Sequence, residues 1–137
     1  MTPLLTALHP DAVARFLVTA FFAIVFGTSA LDKLIDRQGN LAYFSDHFKS
    51  SPLPPAVVPL LFWMLTLIEA AAGALCVLGL VLGDFASRGF GVAAAGVTLA
   101  GVALLSLLFG QRMAKDYAGA AVVAAYFAVA LIGILAF

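Results

Sequence analysis

Residues 56–82 read AVVPLLFWMLTLIEAAAGALCVLGLVL, a run of apolar side chains interrupted by a single charged residue, Glu69, near its centre. About 20 mostly apolar residues are enough for a helix to cross the hydrocarbon core of a bilayer. Since a backbone in lipid must satisfy its hydrogen bonds within its own segment, this run predicts a transmembrane helix.

Three further stretches share this length and apolar character, at residues 12–34, 89–109 and 117–137. The links between the last three stretches are short and polar, which makes neighbouring helices antiparallel. Only 10% of the chain is charged, against about 25% in an average soluble domain. The sequence therefore predicts an all-α fold in which residues 1–137 form a single transmembrane domain, an integral membrane four-helix bundle.

The first loop is longer and carries its own helical pattern. Leu41, Phe44 and Phe48 recur at helical spacing, and Asn40 precedes them as a possible cap. Three prolines follow and end the pattern. We expect a short helix at about residues 40–50 that lies in the membrane interface.

Glu69 is the most informative residue, because it lies about 18 Å from the start of its helix, near the bilayer midplane. A charged group there costs at least ~2.5–3.5 kcal/mol, so the carboxyl must be protonated, paired or facing a wet cavity. Gly73 and Cys76 share its helix face, and small residues allow close approach of a neighbouring helix. Two interpretations remain open: an interhelical hydrogen bond that locks the bundle, or a site for a ligand, proton or substrate.

Arg15 and Lys33 are 18 residues apart and so share one face of the first helix, about 27 Å apart along its axis. Phe22 and Phe26 lie between them on that face, which suggests an aromatic slot with a cation at each end. Alternatively, both cations extend to the two membrane interfaces. Tyr126 is either a buried hydrogen-bond donor or an ordinary packing aromatic. The candidate intramembrane ligand pocket consists of Glu69, Arg15, Lys33, Phe22, Phe26 and Tyr126.

Several kinds of chemistry are disfavoured by the sequence. His9 and His47 lie outside the deep parts of the helices, so haem ligation by two histidines across the bundle is not expected. No cluster has metal-ligand spacing, and the single cysteine, Cys76, cannot form an internal disulfide and is expected to be a packing residue. The net charge of zero disfavours a nucleic-acid surface. The N-terminal region lacks the cations of a cleaved signal peptide.

Lysine and arginine counts give an expected orientation. The face with both termini carries Arg15 and Arg88. The opposite face carries five cations: Lys33, Arg37, Lys49, Arg112 and Lys115. The positive-inside rule then places both termini outside.

The chain resembles the DoxX family of bacterial four-helix membrane proteins over nearly its whole length. The resemblance rests on the early Arg15, the Lys33-Leu34 step, the proline-bearing loop and the segment Glu69-Ala70-Ala71-Ala72-Gly73-Ala74-Leu75-Cys76-Val77-Leu78-Gly79. One difference is Ala30, where the family often has glycine.

The resemblance implies a link to sulfur and redox metabolism in the bacterial cytoplasmic (inner) membrane. Three functions follow as hypotheses. The chain is an accessory or anchoring subunit for a redox partner protein, or it is itself a site or an oxidoreductase subunit for quinone or another hydrophobic molecule. The third is a small transporter component, which four helices without an internal repeat fit only as a homo-oligomer.

Overall fold

The computed structural model describes residues 9–137, and this part of the chain is helical without any strand. The helices are α1 (Pro10–Ile35), α2 (Arg37–His47), α3 (Val58–Leu82), α4 (Val92–Met113) and α5 (Tyr117–Ala136), with a single 3₁₀ turn (Asp84–Ala86) after α3. By length and composition, α1, α3, α4 and α5 are each able to cross a membrane. The predicted all-α, four-helix membrane bundle is confirmed.

Helix α4 begins three residues later than the sequence predicts, because Asp84 caps it from a distance. The Asp84 carboxylate accepts hydrogen bonds from the backbone N–H of Val92 at 2.6 Å and of Ala93 at 3.1 Å. Gly89, at the predicted start, has a φ of 124°, which is outside the helical region. The carboxylate thus satisfies two of the N–H groups that the first turn of a helix leaves without a partner.

The short helix α2 also differs from its prediction, since Asn40 is not its cap. The cap is Asp36, whose carboxylate accepts from the N–H of Gly39 at 3.2 Å. The amide of Asn40 instead donates to the backbone carbonyls of Asp36 at 2.8 Å and Asp32 at 3.3 Å. Each of these carbonyls also accepts a backbone N–H, Asp32 from Asp36 and Asp36 from Asn40, so the amide of Asn40 adds a second contact where the two helices meet. The position of α2 in a membrane interface stays a prediction.

Glycines allow α3 to lie very close to both of its neighbours. A Cβ at Gly73 would lie 2.8 Å from the backbone nitrogen of Gly27 on α1. On the other side, a Cβ at Gly96 of α4 would lie 2.8 Å from the backbone nitrogen of Cys76. Cys76 is fully buried at this contact. Small residues therefore fix the spacing of the three helices, as is common where helices pack in a membrane.

Helix α1 ends before it reaches the level at which α3 begins. Counting eight residues along each antiparallel helix from the Gly27–Gly73 contact places Ile35 at the level of Leu65, about 10 Å from the start of α3. Helix α2 covers part of the remaining stretch, where the ring of Phe44 packs on that of Phe62 with centroids 5.5 Å apart. The interior of the bundle is consequently less filled at this end.

Candidate functional site

Glu69 is buried and paired with a cation from the neighbouring helix. Its carboxylate oxygen Oε2 lies 2.7 Å from the ammonium Nζ of Lys33 on α1, and the Glu69 residue is 1% exposed. The hydroxyl of Ser29, one turn before Lys33, donates to the same oxygen at 2.9 Å. The sequence requires this carboxyl to be protonated, paired or facing a wet cavity, and the structure shows it paired.

This ion pair connects α1 to α3 in the middle of the bundle. Two charges taken out of water are tolerated only when their geometry is good and further hydrogen bonds satisfy them, as the Ser29 hydroxyl does here. Removing one partner would leave an uncompensated buried charge. The pair therefore joins the two helices, and whether Glu69 serves as a lock of the bundle or as part of a ligand site stays a prediction.

Lys33 does not extend to the end of its helix, because its ammonium turns inward to Glu69. It also lies 5.9 Å from the centroid of the Phe62 ring, within reach of a cation–π contact. The Lys33 side chain is 14% exposed, whereas that of Glu69 is 2% exposed. An ammonium has three donor hydrogens, and the Glu69 carboxylate uses one of them. The remaining exposed surface of Lys33 faces a cavity.

The cavity has a volume of about 570 Å³ and lies between α2, the first turns of α3 and the last turns of α4. Its size falls in the range of roughly 300–1,000 Å³ that is typical of small-molecule pockets. Aromatic rings form much of its wall, and Lys33 lies at its inner end. Residues that line it include Lys33, Tyr43, Phe44, Phe48, Phe62 and Gln111.

A polar contact joins the outer wall of the cavity to the end of α4. His47 Nε2 and Gln111 Oε1 are 2.7 Å apart, and the same nitrogen lies 3.7 Å from a carboxylate oxygen of Asp116. The His47 ring also stacks on Tyr43, with centroids 5.9 Å apart. Sequence reasoning considered His47 only as a haem ligand and missed this contact. The four-residue spacing of Tyr43 and His47 on one helix face predicts their stacking but gives no signal for the contact with Gln111.

Arg15 lies at the opposite end of the bundle and binds backbone carbonyls. Its guanidinium donates to Phe85 at 2.6 Å, to Ala136 at 3.0 Å and to Ala86 at 3.1 Å. Arg15 is 3% exposed, so these carbonyls near the ends of α3 and α5 replace water around it. The structure thus does not bring Arg15 together with Lys33 and Glu69.

The three aromatic residues predicted for the site occupy different surroundings. Phe22 and Phe26 stack with centroids 5.8 Å apart and are both buried in the hydrophobic core. Tyr126 is 36% exposed and packs edge-on against Phe21, with centroids 5.5 Å apart. Only Lys33 and Glu69 of the predicted set come into direct contact as a polar pair. A ligand role for the six residues stays a prediction.

Within residues 9–137, no group of three or more His, Cys, Asp or Glu side chains is placed to hold a metal ion. Arg15 and Lys33 both have internal partners, so neither is free to mark a membrane face. Leaving them out of the charge count keeps one cation, Arg88, on the face with the termini and four on the other. The expected orientation, with termini outside, stays a prediction.

The sequence matches the family model of the methylamine utilisation protein MauE over residues 11–86. The matched segment contains Arg15, Lys33 and Glu69, and it extends from α1 to the 3₁₀ turn after α3. The resemblance to the DoxX family is therefore wrong. The motifs that suggested it, a buried carboxylate followed by glycines and two helix-one cations, are what close helix packing around buried charges requires, and different families can share them. No curated protein and no solved structure matches the chain.

Proposed function

Because this chain belongs to the family of the methylamine utilisation protein MauE, we propose that it is an accessory membrane protein of a redox-linked system that uses methylamine. The observation that carries this proposal is the family match over residues 11–86, which includes three of the helices and the buried ion pair. The chain is a multi-pass membrane protein. We place it in the bacterial cytoplasmic membrane, beside a redox partner protein.

The partners that the buried charged side chains bind support an accessory role. Arg15 is occupied by three backbone carbonyls, and Lys33 and Glu69 are occupied by each other. These groups hold one end and the middle of the bundle together. Large apolar side chains on the outside, such as Ile24 and Leu67, are exposed and available to lipid or to the helices of a partner.

Deletion of the gene in its own host tests the proposal. We expect the deletion strain to lose growth on methylamine as sole nitrogen source and to grow normally on ammonium. A plasmid copy of the wild-type chain should restore growth on methylamine. Normal growth of the deletion strain on methylamine would contradict the proposal.

A second measurement separates support of a partner from electron transfer. Extracts of the deletion strain are assayed for methylamine oxidation with a soluble artificial electron acceptor. A protein that supports or anchors the oxidising partner is needed in this assay too, so we expect the activity to be lost. Full activity with the artificial acceptor would show that the chain acts only in passing electrons onward, contrary to an accessory role.

A further inference from the structure

The cavity beneath α2 lies within the membrane-spanning part of the bundle. Its walls include Leu61, Met64 and Leu65 of α3 and Leu105, Phe109 and Gly110 of α4, and both helices are long and apolar enough to cross a membrane. Because α1 ends at the level of Leu65, it leaves a gap here that α2 covers in part. The cavity is therefore a consequence of helix length, at a depth where water is scarce.

The cavity opens toward the lipid side of the bundle. Met64, Leu105 and Phe109 all line it, and they are 52%, 55% and 59% exposed. These side chains lie on α3 and α4, in segments that would contact acyl chains. A molecule dissolved in the bilayer can thus enter between the two helices without crossing a polar surface.

The charges around the cavity favour a neutral ligand. Lys33 is the cation at the inner end, and the carboxylate of Glu69 at 2.7 Å already balances it. An anionic ligand would leave an unbalanced negative charge at this depth, which is costly. A carbonyl oxygen, in contrast, can accept one of the two remaining ammonium hydrogens of Lys33 with no change in net charge.

The walls suit a flat ring. Tyr43, Phe44, Phe48 and Phe62 present aromatic side chains, and rings pack on one another in stacked or edge-on arrangements. We propose that this cavity binds a neutral, lipid-soluble ring compound with carbonyl oxygens, the chemical class of the quinones, with Lys33 donating a hydrogen bond to one carbonyl. The site does not depend on the methylamine role or on a partner protein.

Purified chain in phosphatidylcholine nanodiscs is titrated with a short-tailed quinone, and the fluorescence of Trp63 is recorded. Trp63 is the only tryptophan, and its ring centroid lies 5.2 Å from that of Phe62 in the cavity wall. Binding at one site gives saturable quenching. A photoreactive azidoquinone in the same nanodiscs should label peptides from α2 and the start of α3.

Two pairs of variants locate the site. Ser106→Phe places a ring in the cavity, and Val102→Phe places one on the same face of α4 one turn away, outside the cavity. Lys33→Met removes the donor, and Lys49→Met makes the same change at an exposed lysine. A hydrogen bond to a charged donor is worth roughly tenfold or more in affinity. We expect Ser106→Phe and Lys33→Met to weaken quinone binding at least about tenfold and both controls to keep it.

The Ser106→Phe result is decisive even if loss of Lys33 disturbs folding, because this change leaves the ion pair intact. Linear, unsaturable quenching in the wild-type chain, or equal affinity in Ser106→Phe and Val102→Phe, would overturn the proposal. A retained phospholipid that the quinone does not displace would assign the cavity to an acyl chain and overturn it as well. Since the purified chain is used alone, these outcomes are independent of growth on methylamine.

Discussion

The ammonium of Lys33 on α1 and the carboxylate of Glu69 on α3 lie 2.7 Å apart in the middle of the bundle. The close backbone contact of Gly27 with Gly73, six residues before Lys33 and four after Glu69, brings the two helices near enough for this pair to form. One charge alone at this depth would be costly, and the pair removes that cost only while both residues are present.

Each single substitution of the pair should therefore destabilise the protein more than the double substitution does. Glu69→Gln and Lys33→Met each leave one buried group without its partner, and we expect each to lower the free energy of unfolding by roughly 3–5 kcal/mol. The double variant Lys33→Met/Glu69→Gln has no charge to desolvate and should be more stable than either single variant. Unfolding in mixed detergent micelles, followed by circular dichroism, measures all four chains. If the losses of the single variants simply add, the two groups are not coupled.

Arg15→Lys tests the carbonyl contacts at the other end. A lysine ammonium lacks the planar, five-donor geometry with which Arg15 reaches Phe85, Ala86 and Ala136 together. We expect faster amide hydrogen exchange in residues 84–91 and at the end of α5, with little change near Glu69. Arg88→Lys is the matched control, because Arg88 is exposed. Equal exchange in the two variants would show that the guanidinium geometry is unimportant.

Asp84→Ala should loosen the start of α4. Its carboxylate accepts from Val92 at 2.6 Å and from Ala93 at 3.1 Å, and loss of such a cap costs about 1 kcal/mol. Asp84→Asn keeps one acceptor oxygen and should lose less. Amide hydrogen exchange in the first turn of α4 should be slowest in the wild type, faster in Asp84→Asn and fastest in Asp84→Ala. If Asp84→Ala exchanges as slowly as the wild type, the carboxylate of Asp84 does not stabilise the start of α4.

Much of the fold could be predicted from the apolar runs, because an apolar segment long enough to cross a bilayer normally forms a helix, which satisfies its backbone hydrogen bonds within the segment. The inward position of Glu69 could also be predicted, since its face carries Gly73 and Cys76. The identity of its partner, Lys33, could not be predicted. Lys33 lies near the end of its apolar run, where lysines usually extend to water. Only the early end of α1, relative to α3, places it beside the centre of the bundle.

The cavity could not be predicted from the sequence, for the same reason. Its existence depends on the offset between α1 and α3, and hydrophobic patterns give the length of a helix but not its level relative to a neighbour. The structure does not bring Arg15 and Lys33 together in one pocket. Both residues do share one face of α1, but about 27 Å of helix separates them, so they serve two different sets of partners.

Two glycines of α4 give the sharpest test of helix spacing. A Cβ at Gly96 would lie 2.8 Å from both the backbone nitrogen and the sulfur of Cys76, whereas a Cβ at Gly101 would lie 3.7 Å from Ala130 in ordinary contact. Gly96→Ala must push α4 away from α3, because a backbone atom cannot rotate aside, and we expect a loss of roughly 1–3 kcal/mol. Gly101→Ala should be neutral or stabilising, since alanine favours helix over glycine by up to about 1 kcal/mol.

The same substitution on the same helix makes each variant the control for the other. Detergent-induced unfolding, followed by circular dichroism, compares them with the wild type, and the expected order of stability places Gly96→Ala last. Equal stability of the two variants would mean that α3 and α4 lie farther apart in the membrane than the 2.8 Å approach requires. In that case Cys76 would also be less enclosed, and its reaction with a small membrane-permeant thiol reagent would be measurably faster than a fully buried thiol allows.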